Sequence, residues 1–421
     1  MKAAGAYDYV IVGAGSAGCV LAARLSEDGR RSVLLIEGGG SDRSALCRVP
    51  GMVSIIHTVP QVKKKYDWGY KAEGPQSING RRIPQVRGKV LGGSSAINGM
   101  VYVRGHRSNY DGWAADGATG WDWEGCLPYL KKLEDWEGGA SDTRGAGGPI
   151  GVTRPTGMSP ISELFLQAVH DVTGCGITDD YNTGDQEGIG RVQLSSRDGI
   201  RHSTSERYLH PNLGRKNLTV VSRALVDRVQ IEGGRAVGVV YRKGKDELLV
   251  RANKEVVLSA GAVGSPAILL RSGVGPALEL KALGLDAVAD LPVGRNLHDH
   301  MFFPLSFLAP RVGHRGTAGH FFGGMIKEKI SGGTWFGRSV FEVFGFLKTK
   351  SAGAIPNLQL HSLPWAYPAP NQDNSDVRPT VDMRPCFTIF PTLIYPESRG
   401  ELTLRSLDPA EAPIFDPHYL E

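Results

Sequence analysis

The hydrophobic pattern of the first forty residues predicts one strand–turn–helix–strand unit. An apolar run at residues 9–12 is typical of a buried parallel strand, and a glycine-rich segment at residues 13–18 leads from it into a helix. A second apolar run, at residues 32–36, predicts the next strand, which ends at Glu37. Because these parts follow one another in order, the pattern predicts a βαβ unit at the start of an α/β domain.

Farther along the chain, the pattern is first irregular, then helical, then extended. Residues 41–85 show no sustained periodicity and predict an excursion across the surface of the first domain. Helical spacing predicts helices at residues 121–134 and 159–172, the second with Ser159 as its N-cap. Short alternating runs separated by turn residues then predict an antiparallel β-meander within residues 217–251, with strands at 218–222, 224–231, 236–241 and 247–250.

A second strand, bend and helix follow the meander. Residues 255–259 predict a buried strand that runs into a glycine-rich bend, and residues 267–272 predict a helix that opens with Ser265 and Pro266. Past Met301 the chain is rich in aromatic residues and prolines, and strands are predicted at 357–361, 386–395 and 401–404.

These patterns together predict two domains. Residues 1–304 are expected to form a Rossmann-like α/β dinucleotide-binding domain with the β-meander as an insertion. Residues 305–421 are expected to form an α+β part in which an antiparallel sheet faces the substrate.

Composition and charge narrow the class of protein. The chain of 421 residues is 41% hydrophobic and has a formal net charge of +5, with no basic patch interleaved with aromatics, so no nucleic-acid partner is expected. The five cysteines are odd in number and widely spaced, without a metal-binding spacing, which favours a reducing cytoplasmic location and no metal site. Neither a signal peptide nor a transmembrane segment is expected, because the N terminus is too short for one and no apolar run is long enough for the other.

The histidines near residue 300 do not change the expectation about metal. His298 and His300 stand on either side of Asp299, and adjacent positions on an extended chain point alternately, so they do not share one ion easily. A hydrogen-bonding role in the structure or beside a cofactor is the favoured interpretation.

The glycine-rich segment 13–18 carries the first chemical prediction. Gly13 permits the tight turn, Gly15 removes a side chain that would keep a pyrophosphate off the backbone, and Gly18 lets helix and strand pack closely. Free N–H groups at the helix start face the diphosphate. Glu37 lies at the distance where a carboxylate accepts hydrogen bonds from ribose hydroxyls, and its charge argues against NADP. This motif predicts an adenine dinucleotide without deciding which one.

Two further glycine-rich segments indicate backbone that lies against a ligand. Residues 87–105 combine small residues, adjacent hydroxyls and a few apolar side chains, a composition that is unusual for an exposed linker. Residues 255–275 repeat the strand, glycine bend and helix of the N terminus. Both segments predict backbone platforms along the dinucleotide.

With these segments in order, the chain resembles the glucose–methanol–choline (GMC) oxidoreductases, the flavoenzyme family of choline dehydrogenases and aryl-alcohol oxidases. Residues 88–111 resemble the first family signature, from Gly-Lys-Val-Leu-Gly-Gly-Ser-Ser to the terminal Asp. Residues 261–275 resemble the second, and residues 296–300 and 398–420 are similar to further family segments.

The resemblance implies FAD as the cofactor and a set of residues that would hold it. In some members a histidine anchors FAD covalently just before the asparagine of the first signature; Ile97 stands there, so non-covalent FAD is expected. The expected cofactor-binding residues are Gly13, Ala14, Gly15, Ser16, Ala17, Gly18, Glu37, Gly38, Val90, Gly92, Gly93, Ser94, Asn98, Gly99, Met100, Val101 and Val226.

The resemblance also implies the reaction. The family transfers a hydride from a carbinol carbon to flavin N5 while a histidine removes the hydroxyl proton. That histidine belongs to a segment expected beyond residue 421, so no catalytic residue is assigned, and His106 and His202 are interpreted as structural. The expected partners are a small-molecule alcohol and an electron acceptor, whether O2, a quinone or another.

The sequence leaves alternative functions open. The chain is either part of an FAD-dependent alcohol dehydrogenase or oxidase, or a catalytically inactive FAD-binding remnant. The light-driven fatty-acid decarboxylases of the same family use a cysteine that faces the flavin, and Ile394 stands at that position here. The aromatic residues of the second domain suit an aliphatic or aromatic primary alcohol, although a choline cage would also use aromatics.

Overall fold

The predicted βαβ unit is present in the computed structural model, which describes residues 1–74, 76–367 and 382–421. The strand Lys2–Val12 ends at the glycine-rich turn, the helix Ser16–Leu25 follows, and the strand Val33–Glu37 returns in parallel. The last residues of both strands are buried, as expected for a parallel sheet covered on both faces. This unit brings Glu37 back beside the glycines.

One six-stranded sheet, called here the nucleotide sheet, organises the first part of the chain. Its first four strands pair in parallel and its last two in antiparallel. The spatial order is Leu218–Ser222, Val33–Glu37, Lys2–Val12, Asp246–Leu258, Arg235–Lys243 and Leu225–Glu232.

The predicted four-stranded meander was wrong in two respects. The strand Leu218–Ser222 does not join it but pairs in parallel with Val33–Glu37 at the opposite edge of the nucleotide sheet. The predicted strands 247–250 and 255–259 are one strand, Asp246–Leu258, because the polar residues 253–255 that suggest a break are exposed and continue the strand at the surface. The meander therefore has three strands and extends the parallel sheet.

The excursion at residues 41–85 is more helical than its pattern predicts. Short helices follow one another here, and two of them begin at a proline, a residue that fits the first helical position because it lacks the N–H group. These short helices are Ala45–Arg48, Pro50–Met52, Val53–Thr58, Pro60–Tyr66 and Gln76–Ile78, and a strand pair joins Tyr70–Lys71 to Pro84–Gln85.

The longer predicted helices are confirmed, with one shift. Trp123–Leu133 begins after Asp122, whose side chain accepts a hydrogen bond from the Gly125 N–H at 2.7 Å. Pro160–Thr173 has Ser159 at its N-cap position, although the Ser159 hydroxyl donates to Glu342 instead of capping. The helix predicted to open at Ser265 and Pro266 begins earlier and spans Gly261–Arg271, with the proline inside it.

The remaining helices and small strands connect these parts. Helices span Gly93–Ala96, Arg107–Ala115, Ser205–Leu209, His210–Asn212, Ala277–Ala282, Ala318–Ser331 and Trp335–Gly337. Two-stranded pairs join Glu134–Trp136 to Ile150–Val152, Ser196–Arg197 to Ile200–Arg201, and Glu401–Thr403 to Ile414–Asp416. No helix of the part that the structure describes is long and apolar enough to cross a bilayer.

An antiparallel sheet, called here the aromatic sheet, forms the centre of the second part. Its order is Met301–Phe302, Cys386–Leu393, Leu358–Leu363, Val343–Leu347 and Gly188–Arg191, with Leu305–Leu308 also paired to Cys386–Leu393. Two of these strands, Met301–Phe302 and Gly188–Arg191, come from residues before 305, so the first part of the chain contributes to the sheet of the second. The domain boundary at residues 304 and 305 stays a prediction, and residues 368–381 of the second part lie outside the described residues.

Candidate functional site

The glycine-rich turn has space for a ligand at one glycine only. A Cβ on Gly13 would lie 2.6 Å from the Ser259 carbonyl oxygen, and a Cβ on Gly18 would lie 1.8 Å from the Gly13 carbonyl oxygen. At Gly15 the nearest atom, the Ser259 oxygen, is 3.9 Å away. Gly13 and Gly18 are therefore required by the packing of the chain itself, whereas Gly15 borders open space.

The helix that starts at this turn presents donors to the same space. Ser16 and Ala17 are exposed, and the first N–H groups of a helix have no partner within the helix. The helix dipole adds partial positive charge there. The turn and helix start therefore fit a pyrophosphate, and residues 13–18, which include Ala14, would hold that part of FAD.

Glu37 closes the other side of the turn. Its carboxylate is buried and accepts hydrogen bonds from the N–H groups of Ala14 at 2.9 Å and Gly39 at 2.7 Å. Burial raises the pKa of Glu37, whereas these two bonds favour its ionised form. A carboxylate has further lone pairs for ribose hydroxyls. The predicted ribose contact stays a prediction, with a second role now visible, which is to fix the turn.

The adenosine side of the site combines the end of strand Val33–Glu37 with the meander. A Cβ on Gly38 would lie 2.7 Å from the Trp68 ring, so this position excludes a side chain. The Ala224 N–H donates to the Glu37 carbonyl at 2.9 Å, which brings the buried Val226 close to the strand end. These predicted residues therefore share one region.

Residues 88–95 pack directly on the glycine-rich turn. The Gly92 N–H donates to the Ala14 carbonyl at 2.7 Å, and a Cβ on Gly93 would lie 2.7 Å from the Gly15 Cα. Val90 pairs with Gly40 in a parallel bridge, and the Ser94 hydroxyl accepts from the Gly88 N–H at 3.1 Å. Two glycine-rich segments far apart in sequence thus form one continuous backbone surface.

The next residues, 95–101, form a bend that we call the flavin loop after its predicted partner. Met100 has φ of +61° and is buried, and its N–H donates to the Asn98 side chain at 3.1 Å. A Cβ on Gly99 would lie 2.6 Å from the Phe341 ring, and Val101 forms a bridge with Leu194. The flavin loop therefore lies between the glycine-rich surface and the aromatic sheet.

Sequence reasoning missed Arg201 and His57, whose side chains contact backbone carbonyl groups of the flavin loop. The Arg201 guanidinium donates to carbonyls of the loop, and His57 Nε2 lies 2.9 Å from the Ile97 carbonyl. Neither residue belongs to a motif with a recognisable spacing. Their roles depend on segments that meet only in the folded chain.

The third glycine-rich segment also reaches the turn. The Ser259 N–H donates to the Val12 carbonyl at 2.7 Å, and the helix Gly261–Arg271 starts beside Gly13. Three segments predicted to line the dinucleotide are therefore brought together. Which of their atoms contact FAD stays a prediction.

The aromatic sheet provides an apolar surface beside the flavin loop. The ring of His361 is stacked on Phe390 with centroids 4.6 Å apart, and Phe341 meets His361 edge-on at 5.3 Å. Burial lowers the pKa of His361 to about 4, so the imidazole is neutral near pH 7. No Asp, Glu, Lys or Arg occurs in the strands Met301–Phe302, Leu305–Leu308, Val343–Leu347, Leu358–Leu363 and Cys386–Leu393, and the sixth strand, Gly188–Arg191, has one charged residue, the exposed Arg191 at its end.

Of the other histidines considered from sequence, His106 and His202 have structural partners. His106 accepts a hydrogen bond from the Ser108 N–H at the start of a helix, and His202 Nδ1 accepts from the Gly151 N–H at 2.8 Å. Between His298 and His300, Asp299 accepts from the Tyr419 hydroxyl at 2.5 Å. No group of three or more potential metal ligands occurs within residues 1–74, 76–367 and 382–421.

Comparison with known proteins agrees with this geometry. A family model described as GMC oxidoreductase matches residues 7–302. The oxygen-dependent choline dehydrogenase of Brucella anthropi is 38% identical over 425 residues, which cover 98% of this chain and 74% of that protein. The enzyme of the same name from Photobacterium profundum is 38% identical over 424 residues, covering 98% of this chain and 72% of that protein.

Solved structures have the same fold. The crystal structure of pyridoxine 4-oxidase from Mesorbium loti matches with a TM-score of 0.84 and 30% identity, over 98% of this chain and 76% of that one. Formate oxidase matches with a TM-score of 0.87 and 24% identity, over 100% of this chain and 78% of that one, and at this identity shows the fold alone. The match to the family model and to relatives across nearly all of the chain shows that it belongs to the GMC oxidoreductase family of FAD-dependent enzymes, which confirms the family and cofactor predicted from sequence.

Proposed function

We propose that this FAD-dependent oxidoreductase oxidises the CH–OH group of an uncharged primary alcohol. The observation that carries the proposal is the position of the flavin loop. The loop continues the glycine-rich surface at Gly93, and at Gly99 it meets Phe341, whose ring packs on the aromatic sheet. A ligand held along the glycine-rich surface would therefore end beside an apolar surface that suits an organic substrate.

The residues of the chain have distinct tasks in this proposal. Residues 13–18 bind the pyrophosphate through N–H groups, Glu37 fixes the turn and accepts from the ribose, and residues 98–101 orient the ring system. When bound, FAD supplies the hydride acceptor for the alcohol carbon. Phe341 and Phe390 exclude water from the reacting face, which strengthens the electrostatic interactions there.

Proton removal is assigned to neither His202 nor His361. His202 and His361 are held neutral by burial, with a pKa lowered to about 4. A base with such a low pKa is poorly matched to an alcohol proton at neutral pH. The base for proton removal therefore stays unassigned among the described residues.

The choice of an uncharged alcohol is based on the aromatic sheet. Aromatic rings attract quaternary ammonium groups, so aromatic content alone would also suit choline. A buried cation is stabilised much better when a carboxylate accompanies the rings, and the described strands of this sheet contain none; the buried Glu342, next to Phe341, already accepts from the N–H and hydroxyl groups of Ser159. A neutral aliphatic or aromatic alcohol fits this surface without an uncompensated charge.

An anaerobic reduction experiment tests the proposal. The chain with bound FAD would be mixed with choline or with 3,3-dimethylbutan-1-ol, in which carbon replaces the quaternary nitrogen, while the visible flavin absorption is followed at neutral and alkaline pH. Alkaline pH supplies a proton acceptor independently of any side chain. We expect the neutral alcohol to bleach the flavin faster than choline does.

Two other outcomes would change the assignment. Reduction by choline alone would contradict the uncharged substrate and favour a cation cage. Bound FAD that no alcohol reduces at either pH would contradict alcohol oxidation by this chain and favour the inactive FAD-binding remnant. A fatty-acid decarboxylase is not favoured, because Ile394 is buried against Met100 and supplies no thiol.

A further inference from the structure

Arg201 is a buried cation without a carboxylate partner. Only 1% of the residue is exposed, which places it among the largest fully buried side chains. No Asp or Glu oxygen of the described residues lies within 4.0 Å of its guanidinium, in contrast to buried Arg104 and Arg144, which both pair with Glu134. Burying a charge without an ionic partner is costly, so an arginine retained here points to a specific task.

The guanidinium binds the backbone of the flavin loop. Nη1 donates to the carbonyl oxygens of Ser95 at 3.2 Å and Asn98 at 2.7 Å, and also to Asn98 Oδ1 at 2.7 Å. Nε donates to the Cys47 carbonyl at 2.9 Å, and Nη2 has no hydrogen-bond partner within the described chain. One side chain therefore connects the helical excursion to the start and the middle of the bend.

These contacts determine which way the loop presents its donors. In a trans peptide the C=O and the following N–H point in opposite directions. The carbonyl of Asn98 points at Arg201, so the N–H of Gly99 points away from it, and that N–H donates to no group of the described residues. Asn98 Oδ1, held by Arg201, also accepts from the Met100 N–H and stabilises the positive φ of Met100.

We propose that Arg201 is a positioning residue for the flavin, which fixes the flavin loop by its carbonyls and supplies a positive charge behind it. The proposal rests on the proposed function, since it takes residues 95–101 as the flavin-facing loop. The free Gly99 N–H then becomes a fixed donor toward the ring system. The charge stays positive in use, because burial lowers the pKa of Arg201 only to about 10.

The positive charge of Arg201 is expected to shift the reduction potential of the flavin in one direction. A flavin gains negative charge when it is reduced, and a nearby positive charge in a poorly solvated environment favours that form. Removing the charge of Arg201 is therefore expected to lower the midpoint potential of the bound flavin. Loosening the loop is expected to weaken FAD binding separately.

Two variants distinguish these effects. In Arg201→Met the side chain keeps a similar length but loses both the charge and the donors, and we expect FAD to bind at least tenfold more weakly and the flavin potential to fall. Arg201→Lys keeps the charge but loses the planar guanidinium with its several N–H donors. We therefore expect weaker FAD binding, with a flavin potential close to that of the original chain. FAD affinity would be measured by flavin fluorescence quenching, and the potential by dye equilibration.

Arg144→Met provides the matched control. Arg144 is as buried as Arg201, but its partners Glu134, Asp180 and Gln193 lie outside the flavin loop. We expect this variant to lower the melting temperature while leaving the potential of its bound flavin unchanged. A general loss of stability would therefore not reproduce the effect expected for Arg201→Met.

The outcomes separate this inference from the proposed function. If the original chain retains no FAD, the proposed cofactor site itself is wrong. If the original chain and Arg201→Met bind FAD equally and share one potential, only the role of Arg201 is refuted. If Arg201→Met does not fold, Arg201→Lys tests the proposal instead. Unchanged FAD affinity in Arg201→Lys would contradict it.

Discussion

Substitution of Gly15 separates cofactor binding from folding. Gly15 occupies the N-cap of the helix Ser16–Leu25 with φ of −81° and ψ of −159°, a conformation open to any residue. The nearest atom to a new Cβ is 3.9 Å away, so Gly15→Ala fits the chain without a clash. The added methyl group projects into the space assigned to the pyrophosphate.

The expected magnitudes differ sharply for folding and for binding. An alanine N-cap costs about 0.5–1 kcal/mol relative to better caps, and replacing glycine regains about 0.4–1 kcal/mol from the unfolded chain, so stability should change by less than about 1 kcal/mol. A displaced pyrophosphate loses hydrogen bonds from the helix start, at about 1.5–3 kcal/mol for each charged group. Loss of two such bonds weakens FAD binding by roughly a hundredfold or more.

Gly18→Ala is the matched substitution with the opposite expectation. Its Cβ would lie 1.8 Å from the Gly13 carbonyl oxygen, so helix and strand would have to separate. Overpacking of this kind costs about 1–3 kcal/mol or more. This variant should lose stability even without FAD, whereas Gly15→Ala should not.

Thermal unfolding of the FAD-free proteins and titration with FAD test the pair. We expect Gly15→Ala to melt near the temperature of the original chain and to lose its yellow colour on dilution. Tight FAD binding by Gly15→Ala would refute the assignment of the pyrophosphate to this turn. A large loss of stability in the same variant would refute the claim that Gly15 borders open space.

Three further predictions concern charge. Burial lowers the pKa of His202 and His361 from 6.5 to about 4, so between these pH values the unfolded chain binds more protons than the folded one. The free energy of unfolding should therefore fall as the pH falls from 6.5 to about 4, by up to about 3 kcal/mol for each histidine. Urea unfolding at several pH values measures this, and His202→Gln should make the free energy of unfolding less dependent on pH. Glu37→Gln should weaken FAD binding about tenfold, measured by fluorescence quenching, because the amide replaces one acceptor oxygen by a donor; unchanged affinity would remove Glu37 from the site. Glu134→Gln should destabilise the chain by about 3–5 kcal/mol in thermal unfolding, because it leaves the buried Arg104 without a carboxylate and removes one of the two carboxylates that Arg144 binds; a change below about 1 kcal/mol would contradict the buried ion pairs.

Local hydrophobic patterns were sufficient to predict the N-terminal βαβ unit. The strand at residues 9–12, the glycine-rich turn, the helix and the second strand depend on neighbours in sequence, and the pattern of apolar residues predicts them directly, although the first strand begins earlier, at Lys2. The same holds for the helices Trp123–Leu133 and Pro160–Thr173. The family motifs then identified the cofactor, because their glycines mark places where backbone approaches backbone or ligand.

Contacts between segments far apart in sequence account for the features that the hydrophobic pattern could not predict. The strand Leu218–Ser222 has the same alternation whether it joins the meander or the far edge of the nucleotide sheet, and only the folded chain selects the second. Arg201 is separated by 106 residues from Ser95, whose carbonyl it binds, so no local spacing marks it. The aromatic sheet likewise takes the strand Gly188–Arg191 from the preceding part of the chain.

The position of the strand Asp246–Leu258 affects how the protein is made. This strand is the parallel neighbour of Lys2–Val12, and the turn at Ser259 that follows it packs on Gly13. During synthesis the first strand and its glycines therefore emerge long before their second neighbour exists. At about 5–20 residues per second, roughly 10–50 s separate the two events. Until then the edge of Lys2–Val12 is unpaired, so chaperone protection of the nascent chain should matter most in this interval, and FAD can stabilise the domain only after it.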